Sequence, residues 1–222
     1  MEYKYELHCH TQNTSKCGRL DAEELVNIYK NAGYSGIVIT DHYSPMTFTV
    51  EEYFNKRKAL KHYLKGYKKA KSLETEDFTV LFGIELRFYG TINDYLIYGA
   101  SEEMINELPF LLPKYLRKAS KWFRKRGCLV VQAHPFRQLM SRANPKYLDG
   151  IEVYNGKANK EANINSKKWA EETGKIQTSG SDCHRESGAA LGGIITYEKI
   201  KTNDDLVRIL KSGNYRLIET EK

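Results

Sequence analysis

With 222 residues, 41% of them hydrophobic, the chain can bury a core of its own and needs no disulfide framework. It has no apolar run approaching the roughly 18 residues of a membrane span, and its N-terminus, MEYKYELHCHT, is charged early, so a transmembrane helix and a secretory signal are both excluded as expectations. The net charge of +7 favours anionic partners such as phosphorylated metabolites, nucleotides or nucleic acid, and four cysteines without a CxxC pair suit reduced thiols in a cytoplasmic protein.

YKYELH (3–8) reads as the first strand. It leads into ELHCHT, where His8 and His10 stand two residues apart and project from one strand face. DAEELVNIYKNAG (21–33) reads as a helix with Asp21 as N-cap, Glu24 at capping-box spacing and Gly33 as C-cap. GIVITDH (36–42) is a buried strand by its β-branched apolar run, 50–75 a long polar helical stretch, and FTVLFGIEL (78–86) and DYLIYGA (94–100) further strands. In 114–126, Tyr115, Leu116, Ala119, Trp122 and Phe123 recur at helical spacing, giving an amphipathic helix with a basic outer face. That face and the lysine-rich 56–71 suit either a solvated surface or contact with a phosphate backbone. CLVVQAHP (128–135), DGIEVYN (149–155), a helix through 158–173, KIQTSGSDCH (175–184), GGIITY (192–197) and a helix near 203–212 complete the chain.

Alternating strands and helices predict an α/β fold around a parallel sheet, open or closed into a barrel, in a single domain over 1–222. Apolar runs rather than strict alternation fit strands covered on both faces. Five of the six histidines fall at the C-terminal ends of these strands: His8, His10, His42, His134 and His184, with His62 alone inside the basic helix. In a parallel barrel those ends meet on one face, where active sites form. Glu85, Glu152, Asn155 and Asp182 end strands likewise, and Asp182 and His184 repeat the spacing of His8 and His10. Imidazoles and carboxylates converging in this way suit Zn, Mn or Fe, and so many strong ligands imply at least two ions. Cys9 and Cys183, between ligands, should point into packing, with ligation as the alternative.

ELHCHT, ITDH, GIEL, AHP and SGSDCH, in this order, resemble the PHP (polymerase and histidinol phosphatase) family over nearly the whole chain. The resemblance implies a distorted (β/α)7 TIM-like barrel with two or three divalent ions at the C-terminal ends of the strands, and hydrolysis of phosphoesters. It makes His8, His10, Glu85 and Asp182 ligands of one ion, with Glu85 bridging to a second ion held by His134, and His42 and His184 ligands of a third. The chain departs from the family twice. TQNTSKCG (11–18) lacks the acid or histidine that members often supply after the first motif, and Asp94 is the nearest candidate for a further ligand that is commonly a histidine.

The implied nucleophile is a metal-bound hydroxide between the first two ions. Asp182 and Glu85 act as ligands, with a secondary proton-transfer role open to Asp182; the leaving alkoxide takes its proton from His184 or from water on the third ion. Arg137, Arg19 and Arg185 are candidates to bind the anionic phosphate, Lys157 a weaker one, Asn155 to orient substrate or a ligand, and Tyr43 to line the pocket. Gly83 and Gly180 should let backbone pack close to the site. No Gly-rich phosphate cradle or strained Ser elbow is present. The expected activity is that of a phosphomonoesterase acting on a small phosphorylated metabolite or nucleotide. The alternatives are a nuclease acting on nucleic-acid ends, a protein-tyrosine phosphatase, or a catalytically degenerate binding module.

Overall fold

The computed structural model describes residues 1–108 and 115–220. Its first half runs β1 (Tyr3–Cys9), α1 (Ala22–Asn31), β2 (Gly36–Ile39), β3 (His42–Tyr43), α2 (Val50–Phe54), α3 (Lys56–Tyr63), α4 (Lys65–Lys71), β4 (Thr79–Phe82), β5 (Ile84–Arg87), β6 (Asp94–Tyr98) and α5 (Glu102–Glu107). The second half adds α6 (Leu116–Arg124), β7 (Leu129–Gln132), β8 (Gly150–Asn155), α7 (Lys160–Thr173), β9 (Ile176–Gly180), β10 (Gly192–Thr196), α8 (Asn203–Ser212) and β11 (Tyr215–Glu219).

The fold is α/β, but its strands form two mixed sheets instead of one parallel sheet. One sheet has the order β11-β10-β1-β2-β4, the other β3-β5-β6-β7-β8-β9. The pairs β1–β2, β2–β4, β3–β5, β7–β8 and β8–β9 are parallel, whereas β1–β10, β10–β11, β5–β6 and β6–β7 are antiparallel. The short link 88–93 between β5 and β6 cannot hold the crossover that a parallel pair requires. An isolated parallel bridge between Cys9 and Cys183 ties β1 to the segment after β9.

Two expected strands are each cut in two where the chain leaves one sheet for the other. The 36–42 run divides after Ile39, and 78–86 divides at Gly83. A Cβ at Gly83 would lie 2.8 Å from Val38 Cγ1 and 2.9 Å from Thr40 Cγ2, so this crossing requires glycine. These breaks aim His42 and Glu85 at a common point, because β3 and β5 pair with His42 opposite Glu85.

The helices follow local chemistry. Asp21 accepts from the amides of Glu23 and Glu24, and Glu24 returns a carboxylate to the Asp21 amide, which is the expected capping box. The C-terminal cap falls on Ala32, and Gly33 follows in the left-handed region at φ 73°. The long 50–75 stretch is three helices, broken at Asn55 and Leu64; Asn55 leaves helical geometry and caps the next helix through the Lys58 amide. The expected helix over 114–126 is seen as α6, and Lys114 lies outside the described residues. Its Phe123 is buried, and Leu116, Ala119 and Trp122 pack against the core. Part of the basic surface is ion-paired: Arg124 with Asp149, Arg126 with Glu107, Lys68 with Glu102 and Lys69 with Asp21. α5 and β11 were not among the elements expected. No described helix is long and apolar enough to cross a membrane.

Candidate metal centre

His8 lies near the end of β1 and His10 just beyond it. His42 begins β3, Glu85 sits in β5, His134 follows β7, and Asp182 and His184 follow β9. All the ligands expected from the motifs therefore come together, except that Asp94 enters from the start of β6 rather than the end of a strand. His62 lies apart, paired with Glu52 at 3.0 Å.

Glu85 is the hub. Its Oε1 lies 3.1 Å from His134 Nε2 and 3.3 Å from His8 Nε2; its Oε2 lies 3.3 Å from His10 Nε2 and 2.7 Å from His42 Nδ1. Asp182 Oδ1 is 3.7 Å from His8 Nε2, 3.4 Å from His10 Nε2 and 3.2 Å from His184 Nδ1. The sets His8–His10–Asp182, His8–Glu85–His134, His42–Glu85–Asp94 and His10–His42–His184 each hold ligand atoms within 4.8 Å of one another. Backbone strain accompanies the cluster: His134 at φ 30° and Asp182 at φ 51° both occupy the left-handed region, where a non-glycine residue costs about 1–3 kcal/mol.

Partners behind the cluster aim the rings. His8 Nδ1 is 2.8 Å from Glu152 Oε1; a carboxylate only accepts, so Nδ1 carries the hydrogen and Nε2 points inward. Glu152 Oε2 also accepts from the His134 amide and from Asn155 Nδ2. Asn155, expected to orient substrate or a ligand, is buried behind the cluster, where its Nδ2 also reaches Asp182 Oδ2 at 3.4 Å. Asp41 holds the 11–15 loop, accepting from the Thr11 amide, Thr11 Oγ1 and Ser15 Oγ. Gly180 lets β9 press on β1, since a Cβ there would lie 2.4 Å from His8 Cβ. Cys9 and Cys183 point away into an apolar cluster, as expected.

Electrostatics at the cluster are those of cations held among carboxylates. Burial pushes Glu85 and Asp182 up, but the neighbouring imidazoles outweigh it and hold both well below the usual carboxylate range. Burial lowers His8, yet the charges of Glu152, Glu85 and Asp182 raise it well above the usual value; Glu85 and Cys17 do the same for His42. His184, opposed by burial, is raised to about 9 by Asp182 and Cys17. His10 goes the other way, lowered by burial and by the charge of His42. Asp94 is raised by burial and by Glu85, while Arg87 grips both of its oxygens at 2.6 and 2.5 Å.

The donor set fits divalent ions. His8 Nε2, His10 Nε2 and Glu85 Oε2 are buried and make no well-directed hydrogen bond, although the last lies 2.7 Å from His42 Nδ1. Buried polar atoms left in this state are costly unless something positive lies among them. In the chain alone, protons on the imidazoles supply that charge. Mixed nitrogen and oxygen donors suit zinc, manganese or iron.

The cluster opens into two adjoining clefts, of about 290 and 400 Å³, that share Cys17, Lys157, Asp182 and His184. Arg137 lines the first, with NH1 3.4 Å from Asp182 Oδ2; Arg19 and Arg185 line the second. Tyr43 is not a lining residue: it is buried in the core against Phe48 and Tyr63, because β3 alternates and sends it to the face opposite His42. Motif reading missed Arg87, Lys16 and Cys17, all at the first cleft. Arg87 could have been found two residues after Glu85 on the same strand face; Cys17 lies in a loop, where no periodicity points anywhere.

A family model for the PHP domain matches residues 6–212. No curated protein matches the sequence. Among solved structures, PsfC from Pseudomonas syringae is similar over 99% of this chain and 92% of its own, at 15% identity and a TM-score of 0.73. A protein from Bifidobacterium adolescentis described as a metal-dependent phosphoesterase matches over 93% of this chain and 95% of its own, at 16% identity and a TM-score of 0.58. Endonuclease Q, in complex with a 27-mer duplex carrying an abasic lesion, matches 97% of this chain at 12% identity and a TM-score of 0.68, and this chain spans 58% of its length. At these identities the likenesses concern the fold.

Proposed function

This chain belongs to the PHP domain family, and we propose that within it the chain is a metal-dependent phosphoesterase that hydrolyses a phosphomonoester. The single observation that carries the reading is the buried set His8 Nε2, His10 Nε2 and Glu85 Oε2, without well-directed hydrogen bonds, in one cluster with Asp182 and His184, which line a cationic cleft. In this reading His8, His10, Glu85 and Asp182 hold one ion, Glu85 and His134 a second with Asp94 as its outlying ligand, and His42 and His184 belong to a third. The two mixed sheets would be the walls of a distorted seven-stranded barrel.

Bound ions would supply an activated water and neutralise charge on the phosphoryl oxygens. The chain's own groups do the rest. Arg137, next to Asp182, offers a two-pronged donor to the phosphate oxygens, and Lys157, 3.7 Å from Asp182 Oδ1, adds a point charge. Arg19 and Arg185 in the adjoining cleft suit a second anionic group of the substrate. His184 Nδ1, 2.8 Å from the Asp182 carbonyl oxygen, keeps its hydrogen there, which turns Nε2 toward Cys17 on the cleft side, 3.1 Å from its Sγ.

A second reading, a nuclease acting on nucleic-acid ends, is favoured by the ring of cations around the clefts. Against it, part of the charge on the basic helices is already ion-paired. Chelator-treated protein reloaded with Mn, Zn or Fe should be assayed on p-nitrophenyl phosphate, nucleoside monophosphates and oligonucleotides across a salt series. A phosphomonoesterase would turn over the small esters with shallow salt dependence. Turnover of oligonucleotides alone, falling steeply with salt, would favour the nuclease. No turnover with any metal would favour a binding module.

A further inference from the structure

His10, His42 and His184 form a cluster of imidazoles beside the Glu85–Asp182 pair, with ligand atoms within 4.8 Å of one another. Their rings are packed together, His10 lying 4.4 Å from His42 and 4.3 Å from His184 between centroids. Crowded imidazoles of this kind resist being charged together and suit a shared cation. His10 is fully buried and its Nε2 makes no hydrogen bond.

One more donor reaches this group. Cys17 Sγ lies 3.1 Å from His184 Nε2, on the side opposite the ring nitrogen held at the Asp182 carbonyl oxygen. The loop that delivers it is fastened from below, since Asp41 holds Thr11 and Ser15. Cys17 is also the exposed thiol of the chain; Cys9, Cys128 and Cys183 are buried. Lys157, 3.2 Å from His184 Nδ1, is the competing cation in this corner.

From this geometry we propose that Cys17 is a thiolate ligand, with His184 and His42, of the third divalent ion of the centre, while His10, whose Nε2 belongs to the first ion, packs its ring against theirs. The inference rests on the metal-centre reading above and deepens it. Sulfur among imidazoles makes this position softer than the Glu85 site, so it would take zinc or cobalt in preference to manganese. A substrate phosphate entering the first cleft would then pass a thiolate-capped ion on one wall and Arg137 on the other.

The test uses the full chain, stripped of metal and titrated with Co²⁺, beside Cys17→Ser and Cys17→Asp. The native chain should develop a near-ultraviolet thiolate-to-cobalt charge-transfer band. Cys17→Ser should lose that band and bind the last cobalt at least about tenfold more weakly. Cys17→Asp should recover the bound ion without the band. Zinc should also slow iodoacetamide labelling of Cys17 in the native chain. Cobalt binding without the band, at equal stoichiometry in native and Cys17→Ser protein, would overturn the proposal and leave the rest of the centre standing. Failure of the native chain to bind cobalt at all would overturn both.

Discussion

His8 Nδ1 and Glu152 Oε1 are 2.8 Å apart, both fully buried, although 144 positions separate them in the chain. The contact fixes which nitrogen of His8 faces the centre. Glu152 also accepts from the His134 amide, so one carboxylate holds cluster residues from two distant stretches of the chain. Glu152→Gln keeps the size and loses the charge. Metal affinity should fall about 10–100-fold with the circular dichroism spectrum unchanged. Isothermal titration with zinc would read this, and an unchanged affinity would remove Glu152 from its orienting role.

Removing a ring that touches both Glu85 and Asp182 should be harsher. His8→Ala is expected to lower bound metal by about one equivalent and to cut phosphomonoester turnover by at least about a hundredfold. Elemental analysis beside the assay checks both. Unchanged metal content would sink the centre as described.

Gly180→Ala tests packing rather than chemistry. The added Cβ would stand 2.4 Å from His8 Cβ and 2.8 Å from Glu152 Oε1, closer than real Cβ atoms come. The strain should cost about 1–3 kcal/mol and be read as a lower midpoint of thermal unfolding. A variant as stable as the native chain would mean that β9 and β1 can separate there.

The pH dependence of stability should differ between metal-free and metal-loaded protein. His8 and His42 are both raised above 6.5 in the folded chain. The folded state then holds more protons than the unfolded one above pH 6.5, so this stabilisation is complete below 6.5 and is lost as pH rises through the raised values. His184, raised to about 9, adds little, because Cys17, lowered to about 6 as its bonds to the two imidazoles outweigh burial, binds correspondingly fewer protons. Metal-free protein should lose stability as pH rises above 6.5, whereas loaded protein should not, since the ion replaces the proton. Parallel melting curves for the two forms would decide it; identical pH slopes would count against ions at these imidazoles.

Arg137 is expected to bind substrate and not to support the fold, being partly exposed at the cleft. Arg137→Ala should raise KM for a phosphomonoester about tenfold or more while Tm stays put, and Arg137→Lys should recover only part of it, because an ammonium cannot make the paired contact. Steady-state kinetics with both variants would tell. A fall in kcat at constant KM would assign the arginine to a different step.

The cluster was legible because chemistry and spacing are local. His8 and His10, like Asp182 and His184, are written two residues apart, and each motif falls at the end of an expected strand. The capping box of Asp21 and Glu24 was readable for the same reason: N-cap chemistry lies within one helical turn. The strand pairings were not readable. Nothing within FTVLFGIEL says that Gly83 moves the chain to a second sheet, or that β10 runs antiparallel to β1. Such pairings are set by what lies alongside, through contacts far apart in sequence.

Residue types and their positions along the strands thus determined that imidazoles and carboxylates would gather. Tertiary structure alone decided that Asp94 is clasped by Arg87, that Asn155 works behind the cluster, that Tyr43 packs into the core, and that Cys17 reaches His184. A strand's period fixes which face a side chain takes, whereas a loop has no period, and its neighbours exist only once the sheets have met.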